Sequence, residues 1–158
     1  MLPKQPLLTL LPDRIVVSPH HDNWQVDQHF KVDTSPAAVV PISAMNDQFK
    51  HFGGVEFFST KEKVLRLYQV TRVTGDEKII ENLGGEVSVQ VGLRAIYYSL
   101  KSVSPDRHYL FYTQQLMRLW SVCAFWNLGG WDISACLVQQ SCVYTDEPVV
   151  ISEVSLGE

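Results

Sequence analysis

The string Asn-Leu-Gly-Gly occurs twice in this chain, as Asn82-Leu83-Gly84-Gly85 and as Asn127-Leu128-Gly129-Gly130. A third apolar residue precedes two glycines at Phe52-Gly53-Gly54. Paired glycines mark points where the backbone takes a positive φ, as at the C-terminus of a helix or in a tight hairpin turn. Each site is followed by a run of residues typical of a strand. The sequence therefore predicts three units, each with a turn at its glycine pair.

The first two units predict short helices between strand-like runs. Ser43 can cap a helix that ends at Gly53, and a second helix through Ile79 and Ile80 closes at Gly84. Short or alternating runs of apolar and polar residues are typical of half-buried strands. Such runs are found at residues 14–18, 24–32, 55–58, 64–73, 87–100, 131–144 and 149–154.

The third unit allows two interpretations. Ser104-Pro105-Asp106 is a strong helix start, and no Gly or Pro follows before Asn127, which predicts one helix of about 23 residues and about 35 Å. The alternative is a hairpin about Gly129-Gly130 that places Trp126 opposite Ile133. We favour the helix because the hairpin leaves residues 107–127 as one unusually long strand.

These elements predict an α+β fold, with a mixed, mostly antiparallel sheet of about seven strands, one long helix and two short helices. A length of 158 residues suits one domain. Prolines interrupt the short apolar run at the start of the chain. We therefore expect residues 1–12 to form an extended N-terminal arm and residues 13–158 to form the domain. No apolar stretch reaches the roughly 18 residues of a membrane span.

Composition excludes several classes of function. The net charge is −4, and the 13 Lys and Arg residues are scattered, which argues against binding of nucleic acid. The glycine patterns of nucleotide-binding loops are missing, and no cofactor is predicted. The three cysteines Cys123, Cys136 and Cys142 form no C-x-x-C pair. They predict reduced thiols, hence the cytoplasm or another reducing compartment.

One cluster of polar residues, around His20, His21 and Asp22, contains metal-ligand side chains. The cluster lacks the H-x-H, H-x-x-x-H and H-E-x-x-H spacings. A solvated turn between two strands explains its composition as well. The sequence therefore commits to no metal site, and a metal-dependent enzyme at these residues is a third hypothesis after the two that follow.

Aromatic residues concentrate in the third unit, and no catalytic motif accompanies them. The leading hypothesis is a non-catalytic protein-association module or complex subunit, which contacts a second copy or another protein through an aromatic, apolar surface. The alternative is a small-molecule-binding domain or small enzyme, with an apolar cavity between the long helix and the sheet that takes a small apolar molecule. The residues predicted to bind a partner or ligand are Trp120, Trp126, Trp131, Tyr112 and Arg118.

Overall fold

Eleven strands and four helices are found in the part of the chain that the computed structural model describes, residues 6–57, 61–140, 143–145 and 147–154. The strands are β1 (Leu8–Val17), β2 (Trp24–Gln25), β3 (Ile42–Met45), β4 (Val55–Glu56), β5 (Lys63–Val70), β6 (Thr74–Gly75), β7 (Tyr109–Gln115), β8 (Arg118–Asn127), β9 (Gly130–Leu137), β10 (Val143–Tyr144) and β11 (Val149–Ser152). The helices are α1 (Val26–His29), α2 (Asp47–Lys50), α3 (Asp76–Asn82) and α4 (Leu93–Ser102), and a 3-10 helix covers Val138–Gln140.

One mixed sheet of seven strands forms the centre of the fold. Its spatial order is β1-β5-β11-β7-β8-β9-β3. Four neighbouring pairs are antiparallel, and the pairs β11–β7 and β9–β3 are parallel. Two ribbons, β6–β10 and β2–β4, accompany the sheet. The predicted fold class, an α+β fold with a mostly antiparallel sheet of about seven strands, is confirmed.

The preferred long helix in the third unit is wrong, because residues 109–127 form β7 and β8. These strands are antiparallel, with Gln115 opposite Arg118. Leu116 and Met117 form the turn between them, with φ angles of 52° and 63°. A turn with two positive φ angles normally carries Asn or Gly, so nothing in Leu116-Met117 indicates that the segment divides here. The segment 107–127, judged too long for one strand, contains two strands.

The alternative hairpin between β8 and β9 is confirmed, with a shifted register. Its turn residues are Leu128 and Gly129, whose φ angles are 54° and 80°. Because the turn lies one residue earlier than expected, Trp126 is opposite Trp131 and not Ile133. The shift moves the pairing by two residues, so the same side chains still share a face.

Two runs predicted as strands contain helices: the run at 24–32 is wrong in part, and the run at 87–100 is wrong throughout, because no described strand covers any of it. Residues 26–29 form α1, and residues 93–102 form α4. In both segments apolar residues also recur every three or four positions, and that spacing places one stripe of the helix in the core. The stripe of α4 consists of Leu93, Ile96, Tyr97 and Leu100, all buried. Of the run at 55–58, β4 covers only the first two residues, and Phe58 lies outside the described residues.

The glycine pairs take the positive φ angles that the sequence predicted, at Gly54, Gly84, Gly85 and Gly129. At the end of α3, the Gly84 N–H donates to the Glu81 carbonyl and the Gly85 N–H donates to the Ile80 carbonyl. This pair of hydrogen bonds is the Schellman motif that ends many helices.

The two faces of the sheet carry separate apolar cores. The larger core packs α1, α2 and α4 against the face that contains Phe111, Val122 and Ile133. The smaller core packs α3 against the opposite face, which contains Leu110 and Tyr112. Val138 of the 3-10 helix packs against this smaller core as well. We call this second side of the sheet the α3 face.

Residues 8–12 of the predicted arm are extended and form the first half of β1 on the edge of the sheet. Residues 1–5 lie outside the described part, and the division into an arm and a domain over 13–158 stays a prediction. None of the described helices is both long enough and apolar enough to cross a membrane.

Gly130, the first residue of β9, lies against the backbone of β3 only because it has no side chain. A Cβ at this position would lie 2.8 Å from the Ser43 backbone nitrogen and 3.0 Å from the Ile42 carbonyl carbon. We expect Gly130→Ala to lower the free energy of unfolding by about 2 kcal/mol, since the backbone of β3 must move. Urea denaturation measures this difference.

The matched control is Gly53→Ala, because no atom lies within 4 Å of the added Cβ and φ is not positive. This variant should unfold within about 0.5 kcal/mol of the natural chain. Equal unfolding free energies for the two variants would contradict the argument from close approach.

Candidate functional site

A cavity of about 590 Å³ lies beside α3. Helix α3, the turn after it and the 3-10 helix supply its walls. We call it the α3 cavity. Its lining residues are Gly75, Asp76, Glu77, Ile80, Glu81, Gly85, Glu86, Val138 and Gln139. The volume lies within the range of small-molecule sites in proteins.

Asp76 is the first residue of α3, and the chain holds it inward. The ribbon of β6 and β10 positions the residues before it, with Thr74 opposite Tyr144. After it, Ile79 and Ile80 pack into the smaller core. With both flanks fixed, the Asp76 side chain is only 2% exposed. An aspartate at the start of a helix is normally solvated, so this burial is unusual.

Two tyrosines donate hydrogen bonds to one oxygen of this carboxylate. The hydroxyl of Tyr112 lies 2.6 Å from Asp76 Oδ1, and the hydroxyl of Tyr144 lies 2.7 Å from the same atom. Asp76 Oδ2 is also buried but has no hydrogen-bond partner among the described residues. A carboxylate can accept about four hydrogen bonds, so half of this capacity is unused.

Burial raises the pKa of Asp76, and the hydrogen bonds from Tyr112 and Tyr144 oppose that rise. Burial and the neighbouring Asp76 carboxylate raise the pKa of Tyr112 well above its usual range, so this hydroxyl keeps its proton and remains a donor. Folded Asp76 holds its proton to a higher pH than unfolded Asp76. This one group therefore reduces the free energy of unfolding as the pH rises from about 4.

The charged groups around Asp76 are mostly acidic. Glu77, Glu81 and Glu86 also line the α3 cavity, and all three are exposed. No Lys, Arg or His belongs to the described lining. Lys78 on α3 lies 3.6 Å from Glu81, in a pair whose two side chains are largely exposed. An ion pair this exposed is weak and offsets little of the acidic charge. The cavity therefore carries a negative potential.

The predicted binding residues do not form one site. Trp120 and Trp131 are buried in the larger core, and Trp126 is 39% exposed. Arg118 is exposed at the start of β8. Tyr112 alone belongs to the α3 cavity, through its hydrogen bond to Asp76. The cavity expected between a long helix and the sheet has no counterpart, since that helix is replaced by β7 and β8.

The histidine cluster lies elsewhere. His20 borders a cavity of about 50 Å³, together with Glu56 and Arg94, while His21 and Asp22 are exposed. Burial and the positive charge of Arg94 lower the pKa of His20. Across the part of the chain that the structure describes, His, Cys, Asp and Glu side chains nowhere form a group of three arranged to hold a metal ion.

Sequence reasoning missed Asp76 and Tyr144. Thr74-Gly75-Asp76-Glu77 has the composition of an ordinary helix start, and nothing in it indicates burial. Tyr144 lies 68 residues from Asp76, and Tyr112 lies 36 residues from it. Only the packing of the sheet brings the three side chains together.

Tyr112→Phe tests the hydrogen bond to the buried carboxylate. We expect a loss of about 2 kcal/mol in the free energy of unfolding at pH 7. The loss should shrink as the pH falls toward 4, because the raised pKa lets Asp76 take up a proton and accept a weaker, neutral bond. Urea denaturation at several pH values measures it.

Tyr109→Phe is the matched control, since its hydroxyl donates to a neutral acceptor, the Ser104 carbonyl oxygen, at 2.7 Å. Its loss should be smaller and should not change over this pH range. A pH-independent loss for Tyr112→Phe would show that Asp76 does not titrate over this range and would contradict the prediction.

Comparison of the chain with protein families, with curated protein sequences and with solved structures gives no significant match. The site is therefore interpreted from its own geometry and chemistry.

Proposed function

We propose that this protein is a small-molecule-binding domain whose site is the α3 cavity. The observation that carries the proposal is the Asp76 carboxylate, which lines the cavity, is almost fully buried and leaves Oδ2 without a partner among the described residues. Because Oδ2 is itself closed to solvent, a ligand in the cavity would reach it only after a local movement of the cavity wall.

The energetic cost of Asp76 supports this proposal. A buried carboxylate without a cationic partner destabilises a fold by several kcal/mol, of the order found for buried ions in general. Two tyrosine hydroxyls offset part of that cost. A residue that serves only for packing at this position would be apolar, as its core neighbours Ile79 and Ile80 are. Perturbed ionisable groups that line a cavity are typical of binding sites.

The cavity walls also suit a small organic ligand. Ile80 and Val138 provide apolar surface, and Gly75 and Gly85 expose backbone next to it. This combination of apolar wall and a single buried polar group resembles the usual composition of ligand sites. The proposal is one of binding and assigns no reaction.

Gln139→Trp tests the site by filling it. Gln139 lines the cavity and is exposed, so an indole there should occupy the cavity without disturbing the core. We expect a fragment library of mixed charge to give hits on the natural chain, mapped by amide chemical shifts to Ile80 and Val138. The variant should bind the same fragments at least about ten-fold more weakly.

Gln48→Trp, on the exposed surface of α2, is the control and should bind fragments as the natural chain does. The proposal is wrong if no fragment shifts the resonances of the lining residues. It is also wrong if both tryptophan variants bind equally well.

Association with another protein is a second candidate function, and the end of the β8–β9 hairpin favours it. Trp126 is 39% exposed and Leu128 in the adjoining turn is 85% exposed. Leu128 also has a φ of 54°, which a leucine adopts at a cost in free energy. An exposed, strained apolar residue is consistent with a contact surface.

Leu128→Asn tests this candidate, with a second copy of the chain as the partner. It creates an Asn-Gly turn, so the free energy of unfolding should rise by about 0.5–1 kcal/mol. If the hairpin end mediates self-association, sedimentation should also show a weaker complex. Val87→Asn removes another exposed apolar side chain, at a position without positive φ, and should change neither quantity. A natural chain that stays monomeric at high concentration would contradict self-association.

A reducing compartment remains the proposed location. The support for it is the sequence, in which the three cysteines form no C-x-x-C pair and are odd in number. Cys142 lies outside the described residues.

A further inference from the structure

We propose that the β7–β8 turn of a second copy of this chain docks in the α3 cavity. Leu116 and Met117 of the turn lie against the apolar wall of the cavity, and Arg118 lies at its acidic rim. The dimer is reciprocal, so each copy contributes one turn and one cavity. This inference goes beyond the proposed function, because the occupant belongs to the protein itself and a small-molecule ligand has to displace it.

The first argument is the exposure of the turn. Leu116 is 62% exposed, and Met117, at 94%, is the most exposed large apolar residue of the described part of the chain. Neither residue lines the α3 cavity of its own copy. Single exposed apolar residues are common on protein surfaces, but two adjacent ones at the end of a hairpin form a compact apolar projection. The turn is therefore accessible to another molecule.

The second argument is the backbone of the turn. The φ angles of Leu116 and Met117 are 52° and 63°. Asn and Gly adopt such angles easily, whereas leucine and methionine adopt them at a cost in free energy. An Asn-Gly turn here would be more stable and would expose less apolar area. A sequence that departs from the local rule in both respects is typical of a contact site.

The third argument is the space in the α3 cavity. Its volume is about 590 Å³, and Ile80 and Val138 are the apolar side chains of its wall. A cavity of roughly 150 Å³ is enough to hold benzene, so this one has room for a leucine and a methionine side chain. Placing Leu116 and Met117 against this wall removes apolar area from water on both copies.

The fourth argument is charge complementarity. Arg118 follows the turn directly and is exposed. Glu77, Glu81 and Glu86 are exposed at the rim of the cavity, and no basic side chain belongs to its described lining. An apolar turn beside a cation thus matches an apolar wall beside acidic side chains, so both properties are complementary across the contact.

The fifth argument is the position of the turn relative to the cavity. Gln115 opposite Arg118 closes the turn at one end of β7 and β8. Two residues further along β8, Trp120 is opposite Leu137, the last residue of β9, and Val138 of the cavity wall follows. Turn and cavity therefore lie at the same end of the sheet. A two-fold axis at this end brings each turn to the cavity of the other copy, which gives a closed dimer.

The double variant Leu116→Asn with Met117→Gly tests the turn. We expect the natural chain to dimerise in sedimentation equilibrium, and the variant to do so at least about a hundred-fold more weakly, since both reciprocal contacts are lost. The variant has an Asn-Gly turn that suits the positive φ angles. It should therefore unfold at a higher urea concentration than the natural chain, which excludes misfolding as the cause of the weaker dimer.

Leu128→Asn is the matched control. It places an Asn-Gly turn at the opposite end of β8 and removes another exposed leucine from a position with positive φ. Under this inference its dissociation constant should equal that of the natural chain.

A charge exchange tests the acidic rim. Arg118→Glu should weaken the dimer about ten-fold or more, because the new carboxylate faces Glu81 and Glu86 of the other copy. Combining Arg118→Glu with Glu81→Lys and Glu86→Lys in one chain should recover most of the lost affinity. If the combined variant stays as weak as Arg118→Glu alone, the turn does not meet this rim and the inference is wrong.

The contact itself is observed in a sample mixed from isotope-labelled and unlabelled chains. We expect nuclear Overhauser effects between the Met117 methyl group of one copy and the methyl groups of Ile80 and Val138 of the other. A dimer without these effects would contradict the proposal.

The remaining outcomes separate this inference from the proposed function. The inference is wrong if the natural chain stays monomeric at millimolar concentration, or if Leu128→Asn weakens the dimer and the Asn-Gly variant at 116–117 does not. The fragment library is applied to that Asn-Gly variant, whose cavity has no turn to displace. Fragment binding there with a monomeric natural chain overturns the inference alone. A turn-dependent dimer without fragment binding overturns the proposed function alone.

Discussion

Two turns with positive φ angles divide residues 109–137 into a meander of three antiparallel strands, β7, β8 and β9, and the remaining elements are arranged on it. Strand β7 pairs with β11 on one side, and β9 pairs with β3 on the other. The meander also separates the two cores, since alternate side chains of its strands enter opposite faces. Tyr112 of β7 points to the α3 face for this reason. Its direction is set by the strand and does not depend on its contact with α3.

The α3 face then has an electrostatic imbalance that the larger core lacks. The larger core consists of apolar side chains, with aromatic rings in edge-to-face contact such as Tyr109 with Trp131. The smaller core includes Asp76, a charge held by two neutral donors. Asp76 is also one of the residues that line the α3 cavity. Under the proposed function, a ligand that binds there would therefore also change the stability of the fold.

The sequence predicted the strands of the sheet better than its helices. Alternation identified β5, β9 and β11, and the glycine pairs marked real turns. The hairpin of Leu116 and Met117 could not be predicted, because neither residue is typical of a turn with positive φ. Helix α4 was missed because its apolar stripe overlaps with an alternating run that begins at Val87.

The sequence contains almost no signal for the candidate site. Tyr112 was among the predicted residues, but for its aromatic character and not for its hydrogen bond. The burial of Asp76 results from contacts among three segments that are far apart in the chain, and local patterns carry no information on such contacts. The three tryptophans were predicted to bind because an indole combines apolar area with an N–H donor, yet Trp120 and Trp131 lie in the larger core.

The position of β11 has a consequence for how the chain reaches its folded state. β11 is the last described strand in sequence, yet it lies between β5 and β7, inside the sheet. All four of its residues are buried. During synthesis, β5 and the meander are complete before β11 leaves the ribosome, so each keeps an open edge where β11 will pair. Such edges are prone to wrong pairing, and contacts between distant parts of a chain form slowly. The sheet therefore closes in its middle only after β11 has been synthesised, and until then the nascent protein most needs protection from aggregation.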